Sequence, residues 1–168
     1  VNSAAPGKRF SSTTDTVALT VTAVNDAPTV TAPGTFTVSE ETAGNLLYTG
    51  TPFADVDSTT LTVTLSIADG SINATTGDNV TVGGTAIART FSGTAADLNA
   101  FFTTAGKITY TGAQDANGTR TLTTSVSDGS LSNVTPITSN IKITEVNDAP
   151  SGADKTFTIM EDGSKTFA

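Results

Sequence analysis

The chain has 168 residues, a net charge of −8 and a sequence pI of 4.2. Its eight basic residues are scattered among sixteen acidic ones. They form no cluster for phosphate, which excludes nucleic acid as a partner. Cys and His are both absent. That removes disulfides, thiol chemistry, the commonest general base and nearly all zinc-site patterns.

The length suits one sandwich-sized domain with extra strands. Apolar residues make up 36%, at the low end for a globular chain. Thr is the commonest residue, and its β-branched side chain suits strands with a wet outer face. No stretch approaches the roughly 20 apolar residues of a membrane span, so membrane insertion is not expected. No signal peptide opens the chain, which is expected to be a piece of a longer protein. A chain this acidic repels itself unless cations bind.

In chain order, Val24-Asn25-Asp26-Ala27-Pro28 is a turn-forming linker, because Pro ends ladder pairing and Asn and Asp favour turns. Thr35 to Glu40 reads as a strand. Leu61, Val63, Leu65 and Ile67 alternate with polar residues over the next strand. Val80-Thr81-Val82, and Ile87 with Arg89 and Phe91, predict two more. Thr94-Ala95-Ala96-Asp97 fits a helix-capping box, with Leu98, Phe101 and Phe102 at helical spacing behind it. A short helix is expected over 95–103, its aromatics plugging the sandwich. Ile108 and Tyr110, Leu122 and Val126, and Ile141 and Ile143 mark three further strands. Asp69-Gly70, Gly83-Gly84, Asn117-Gly118 and Asp128-Gly129 read as turns between them. The expected fold is all-β, about seven strands in two sheets with one short helix.

The linker recurs as Val146-Asn147-Asp148-Ala149-Pro150, a period of 122 residues from Val24 to Val146. The flanks match too. Val17 to Thr22 resembles Ser139 to Thr144, and Thr35 to Glu40 resembles Thr156 to Glu161. The chain therefore divides into 1–24, the tail and last strand of a preceding repeat; 25–146, a complete repeat; and 147–168, the linker and first strand of the next. Both flanks are expected to pack on this domain's edges or to pair with a neighbouring molecule, since an orphan strand leaves backbone groups unpaired.

Phe53-Ala54-Asp55-Val56-Asp57, Lys107-Ile108-Thr109-Tyr110-Thr111, Asn117-Gly118-Thr119, Val126-Ser127-Asp128-Gly129 and the Asn-Asp-Ala-Pro linkers stand in a telling order. In that order they resemble the cadherin-like tandem repeats of giant bacterial surface adhesins of the repeats-in-toxin type. The resemblance covers nearly the whole chain. It implies a Greek-key cadherin-like sandwich, export to the bacterial surface, neighbouring repeats as partners, and Ca2+ at the junctions.

Calcium takes six to eight oxygen ligands. For the first junction the resemblance implies Asn25, Asp26, Asp55, Asp57 and Asp128. Asp55 and Asp57 are two apart, so on an extended strand they face the same way and repel without a cation between them. The plain alternative is two solvated aspartates in a turn. For the second junction the resemblance implies Glu40, Asp115, Glu145, Asn147 and Asp148, with Glu41 as a solvated neighbour. Gln114-Asp115-Ala116-Asn117 replaces the family's Asp-Arg-Glu motif, so Asp115 takes that role by position alone. The second site lacks the next repeat's aspartates, so the first is expected to be the stronger.

Other motifs are weak. Asn73, Asn79, Asn117 and Asn133 each head an Asn-x-Thr triplet, a pattern that arises by chance in so Thr-rich a chain. Gly83-Gly84 is no phosphate loop. Paired carboxylates could serve a glycosidase, but no Trp is present to stack a sugar. The expected function is a non-catalytic extender. The alternatives are a carbohydrate- or protein-binding module, free-standing or attached to a polysaccharide-degrading enzyme, with a surface or matrix glycan or protein as its target.

Overall fold

The computed structural model describes residues 18–133 and 135–148, with a few isolated positions beyond. Eleven strands and one helix follow in order: β1 (Thr29–Val30), β2 (Thr35–Ser39), β3 (Gly44–Asn45), β4 (Phe53–Ala54), β5 (Leu61–Ser66), β6 (Ser71–Ala74), β7 (Thr81–Thr85), β8 (Ala88–Gly93), α1 (Ala95–Phe102), β9 (Ile108–Thr111), β10 (Gly118–Ser127) and β11 (Ile137–Thr144). The fold is all-β and sandwich-like.

Six strands form the main sheet in the order β2-β11-β10-β5-β8-β7. Its pairings are antiparallel except that β2 runs parallel to β11. Opposite it lie β3-β9-β6 and the short pair β1-β4. The strand count exceeds the expected seven because several elements are only two residues long.

Alternation explains the core. Along β5 every second residue, Leu61, Val63 and Leu65, is buried. Leu122 and Val126 on β10, and Ile141 and Ile143 on β11, do the same. Thr62 and Thr64 on β5 take the outward positions, whereas Thr124, between Leu122 and Val126, is buried with its hydroxyl 2.7 Å from that of Tyr48. The inward residues of both layers merge into one cluster.

The helix forms where its cap predicts. The Thr94 hydroxyl accepts from the Asp97 backbone N–H at 3.1 Å and donates to the Asp97 carboxylate at 2.6 Å. Phe101 and Phe102 are 1% exposed. They sit among Tyr48, Phe53 and Phe91 as core residues. Asn99, on the same helix, accepts from the Phe53 N–H at 2.8 Å and donates to its carbonyl at 2.9 Å. One side chain thereby clamps β4, two residues before Asp55.

Two local readings need correction. Gly83-Gly84 is not a turn: both residues pair within β7, opposite Thr90 and Arg89. The two-residue turn is Ala86-Ile87, and Ile87 is exposed instead of sharing the face of Phe91. Gly84 has φ +75°, and a Cβ there would lie 2.2 Å from the Ala88 carbonyl oxygen. Glycine serves close backbone approach inside a strand here.

Residues 18–24 form no strand and pack on no edge of the sandwich. Leu19 and Val21 are 86% and 82% exposed, whereas their repeat counterparts Ile141 and Ile143 are 0% and 3% exposed. The remainder of the expected preceding-repeat tail, 1–17, lies outside the described residues, as does most of 149–168.

Candidate metal-binding rims

β10 sets the geometry. It is 10 residues long, so at about 3.3 Å per residue it spans roughly 33 Å. Asp128 follows its last residue, and Asp115 and Asn117 precede its first. The two sets of acidic residues expected from the sequence therefore fall at opposite ends of one strand.

At the first rim the entering linker is tied to the domain. The Asn25 side-chain amide donates to Asp128 Oδ2 at 2.6 Å. The Asp26 N–H donates to Asp57 Oδ2 at 2.8 Å. Asp55 Oδ1 accepts from the N–H groups of Asp57 and Ser58, at 2.8 and 2.6 Å. All five expected residues thus join one hydrogen-bonded arrangement. Asp128 Oδ1 also accepts from the Ser130 and Leu131 N–H groups. The Asn25 amide, with these two N–H groups behind it, holds the Asp128 carboxyl below the usual range.

One atom here has no partner. Asp55 Oδ2 is buried and makes no hydrogen bond. A buried carboxylate oxygen without a donor is costly. Asp57, whose N–H bonds the other oxygen of the same carboxylate, adds a second acidic group beside it.

At the second rim the exiting linker closes a cleft of about 300 Å³. Glu40, Asp115, Asn117, Glu145, Asn147 and Asp148 line it, which brings together the whole second set. Glu40 is 4% exposed, and its Oε1 accepts the Val146 N–H at 2.7 Å. Glu41 is exposed, as expected of a solvated neighbour, and it also stands with Asp115 and Asp148, their carboxylate oxygens within 4.8 Å of one another. These three acidic groups could hold a metal ion. Among the described residues no other trio of carboxylates is so close, so the tighter cluster belongs to the second rim and not to the first.

A period-two reading could have separated the two glutamates. Phe36 and Val38 point inward on β2, so Glu40 continues the buried face. Glu41 has φ +58° and Asp115 φ +55°, a left-handed backbone uncommon outside Gly, Asn and Asp. Such strain is retained where surroundings over-determine it.

The Asp148 charge, then burial, then Asp115 and Glu40, push the Glu41 carboxyl above its ordinary value. A raised folded-state pKa means the folded chain holds more proton between the two values, so this contribution to stability falls as pH rises through that window. Asp128 has the opposite sign: its contribution is present above the unfolded pKa and is lost as pH falls through the lowered one. Glu41→Gln should therefore raise the melting temperature in chelator at neutral pH. It should also remove Glu41's share of any gain on acidifying toward pH 4.5, its ordinary value. Thermal melts at the two pH values check this. A lower melting temperature in the neutral chelated sample would contradict it.

Compared with family models, curated proteins and solved structures, the chain matches none of them.

Proposed function

We propose that this chain is a non-catalytic, calcium-dependent extender repeat of a large bacterial cell-surface adhesin, with a Greek-key cadherin-like arrangement of its strands. The observation that carries this reading is the placement of the two acidic rims. The entering linker, Asn25-Asp26, is bonded to one end of β10's span, and the exiting linker, Val146 to Asp148, lines the other. Chain entry and exit thus coincide with the two places where carboxylates gather.

Calcium supplies a charge that cancels carboxylate repulsion and a centre that several oxygens share. At the first rim Asp55 and Asp57 would hold it, with Asp128 and Asn25 fixing the linker beside it. At the second, Glu41, Asp115 and Asp148 would hold it, while Glu40 keeps the linker backbone in place. Each linker then moves with the domain, and successive repeats form a stiff rod. The partners are neighbouring repeats of the same chain, and the location is the bacterial exterior.

No observation favours a sugar-binding reading. Tyr48 and Tyr110 are buried, so neither offers a face for stacking.

Hydrogen exchange tests the proposal. Calcium should slow exchange at the Asp26, Asp57 and Ser58 amides and at Asn147 and Asp148, while β5 amides stay unchanged. Exchange at the linker amides that is the same in calcium, magnesium and chelator would refute it.

A further inference from the structure

Asn117 differs from the chain's other asparagines. Gly follows it, whereas every other Asn is followed by a residue with a side chain. A side chain at that position shields the backbone nitrogen next to the Asn, and glycine leaves it open. Asn117 and Gly118 are both exposed, and nothing lies within 4 Å of where a Cβ on Gly118 would stand.

Arg120 adds a positive charge at a particular atom. Its Nη1 donates to the Asn117 carbonyl at 2.9 Å, and its Nε donates to both Asp69 carboxylate oxygens, at 2.7 and 2.8 Å. The Asn117 carbonyl and the Gly118 N–H belong to one peptide group. When that nitrogen gives up its proton, resonance spreads the charge onto the carbonyl oxygen, where the guanidinium already sits. A cation placed in advance where charge develops lowers the barrier to the reaction.

We propose that Asn117 is a self-modification site, at which the Gly118 nitrogen attacks the side-chain amide, Arg120 stabilises the charge, and water converts the product into a carboxylate at the second rim. The Gly118 nitrogen loses its proton and bonds to Asn117 Cγ. The Cγ–Nδ2 bond breaks, and ammonia leaves with that proton. A cyclic imide remains, and water opens it. Opening at the side-chain carbonyl gives isoaspartate or Asp according to which of the two C–N bonds of the ring is cleaved: cleavage at Cγ restores the ordinary backbone as Asp, and cleavage at the backbone carbonyl gives isoaspartate. The net change is amide plus water to acid plus ammonia, with nothing oxidised or reduced.

The new charge falls among others. Asn117 lines the same cleft as Asp115 and Asp148, whose charges already push the Glu41 carboxyl up. Ion-free protein should lose stability as Asn117 converts. On the calcium reading above, on which this consequence rests, the second rim should then hold the ion more tightly.

Ageing the whole chain in chelator at neutral pH tests the chemistry without calcium. Peptide mapping by mass spectrometry scores the mass gain of amide to acid, in folded samples and in samples held in urea. Asn117 should convert fastest of all the asparagines, and faster in the folded chain than in urea, where Arg120 leaves the carbonyl. Arg120→Gln should slow the folded rate by roughly tenfold and leave the urea rate unchanged. Asp69→Asn, which keeps Arg120 but unpins it, should slow the folded rate by less. A folded rate at or below the urea rate, or one that neither variant slows, would overturn the proposal. Asn117→Asp, standing for the converted residue, should melt lower than Asn117→Gln in chelator and gain more from calcium. Equal calcium gains in these two variants would overturn the link to the second rim and leave the chemistry standing.

Discussion

Phe102→Ala lowers the unfolding free energy by about 3–5 kcal/mol, the range for deleting a buried aromatic. The ring is 1% exposed. It meets Phe53, Phe91 and Tyr48 edge-on, with centroids 4.7, 4.9 and 5.1 Å away. Edge-to-face contacts of this kind add to the burial itself. Tyr48 and Phe53 come from chain segments distant in sequence from α1, so no shift of the helix alone can refill the space. Much of a small domain's stability would go with this one side chain. The loss should also free α1, and with it the Asn99 clamp on Phe53, so calcium binding at the first rim should weaken. Urea unfolding of this variant beside Leu131→Ala, whose side chain is 42% exposed, checks the claim. A loss below about 1 kcal/mol for Phe102→Ala would contradict the packing described.

Calcium should stabilise the ion-free protein by an amount set by mass action. At a free concentration about 100 times the dissociation constant, each site adds about 2.7 kcal/mol. Extracellular modules bind with constants of roughly 0.1–1 mM. At ~10 mM calcium the melting temperature should therefore rise by on the order of 10 °C. The ligands must be ionised, so the gain should shrink as pH falls. Removing the first-rim carboxylates by Asp55→Asn with Asp57→Asn should abolish that site's share. Glu41→Gln with Asp115→Asn should abolish the other. The second pair should also stabilise the chelated protein, because it removes the repulsion that lifts the Glu41 carboxyl. A rise no larger than magnesium produces would contradict the reading.

The fold was legible wherever one local rule acted alone. The β5 alternation and the Thr94 cap each describe a single element, and both formed as the residues suggest. Gly83-Gly84 misled because glycine marks both turns and tight backbone approaches, and only the partner, Ala88, tells them apart. The candidate rims were legible as sets of acidic residues, because the linker repeat and Asp55-x-Asp57 are visible in the chain. Their internal division was not. Which of two adjacent glutamates faces the core depends on where β2 stops and the backbone turns left-handed at Glu41. The strength of each rim depends on side-chain distances that no spacing encodes. Leu19 and Val21 carry a strand's alternation, yet no strand forms over residues 18–24, because pattern alone does not supply a partner.

Isothermal titration with calcium, against magnesium as the reference ion, tests the central claim most directly. The account predicts calcium binding at roughly 0.1–1 mM in the wild type. It predicts loss of one component in Asp55→Asn with Asp57→Asn, loss of the other in Glu41→Gln with Asp115→Asn, and loss of both when the pairs are combined. Absence of calcium binding in the wild type by ~10 mM, or affinity that magnesium matches, would make both rims solvated acidic surfaces and contradict the account.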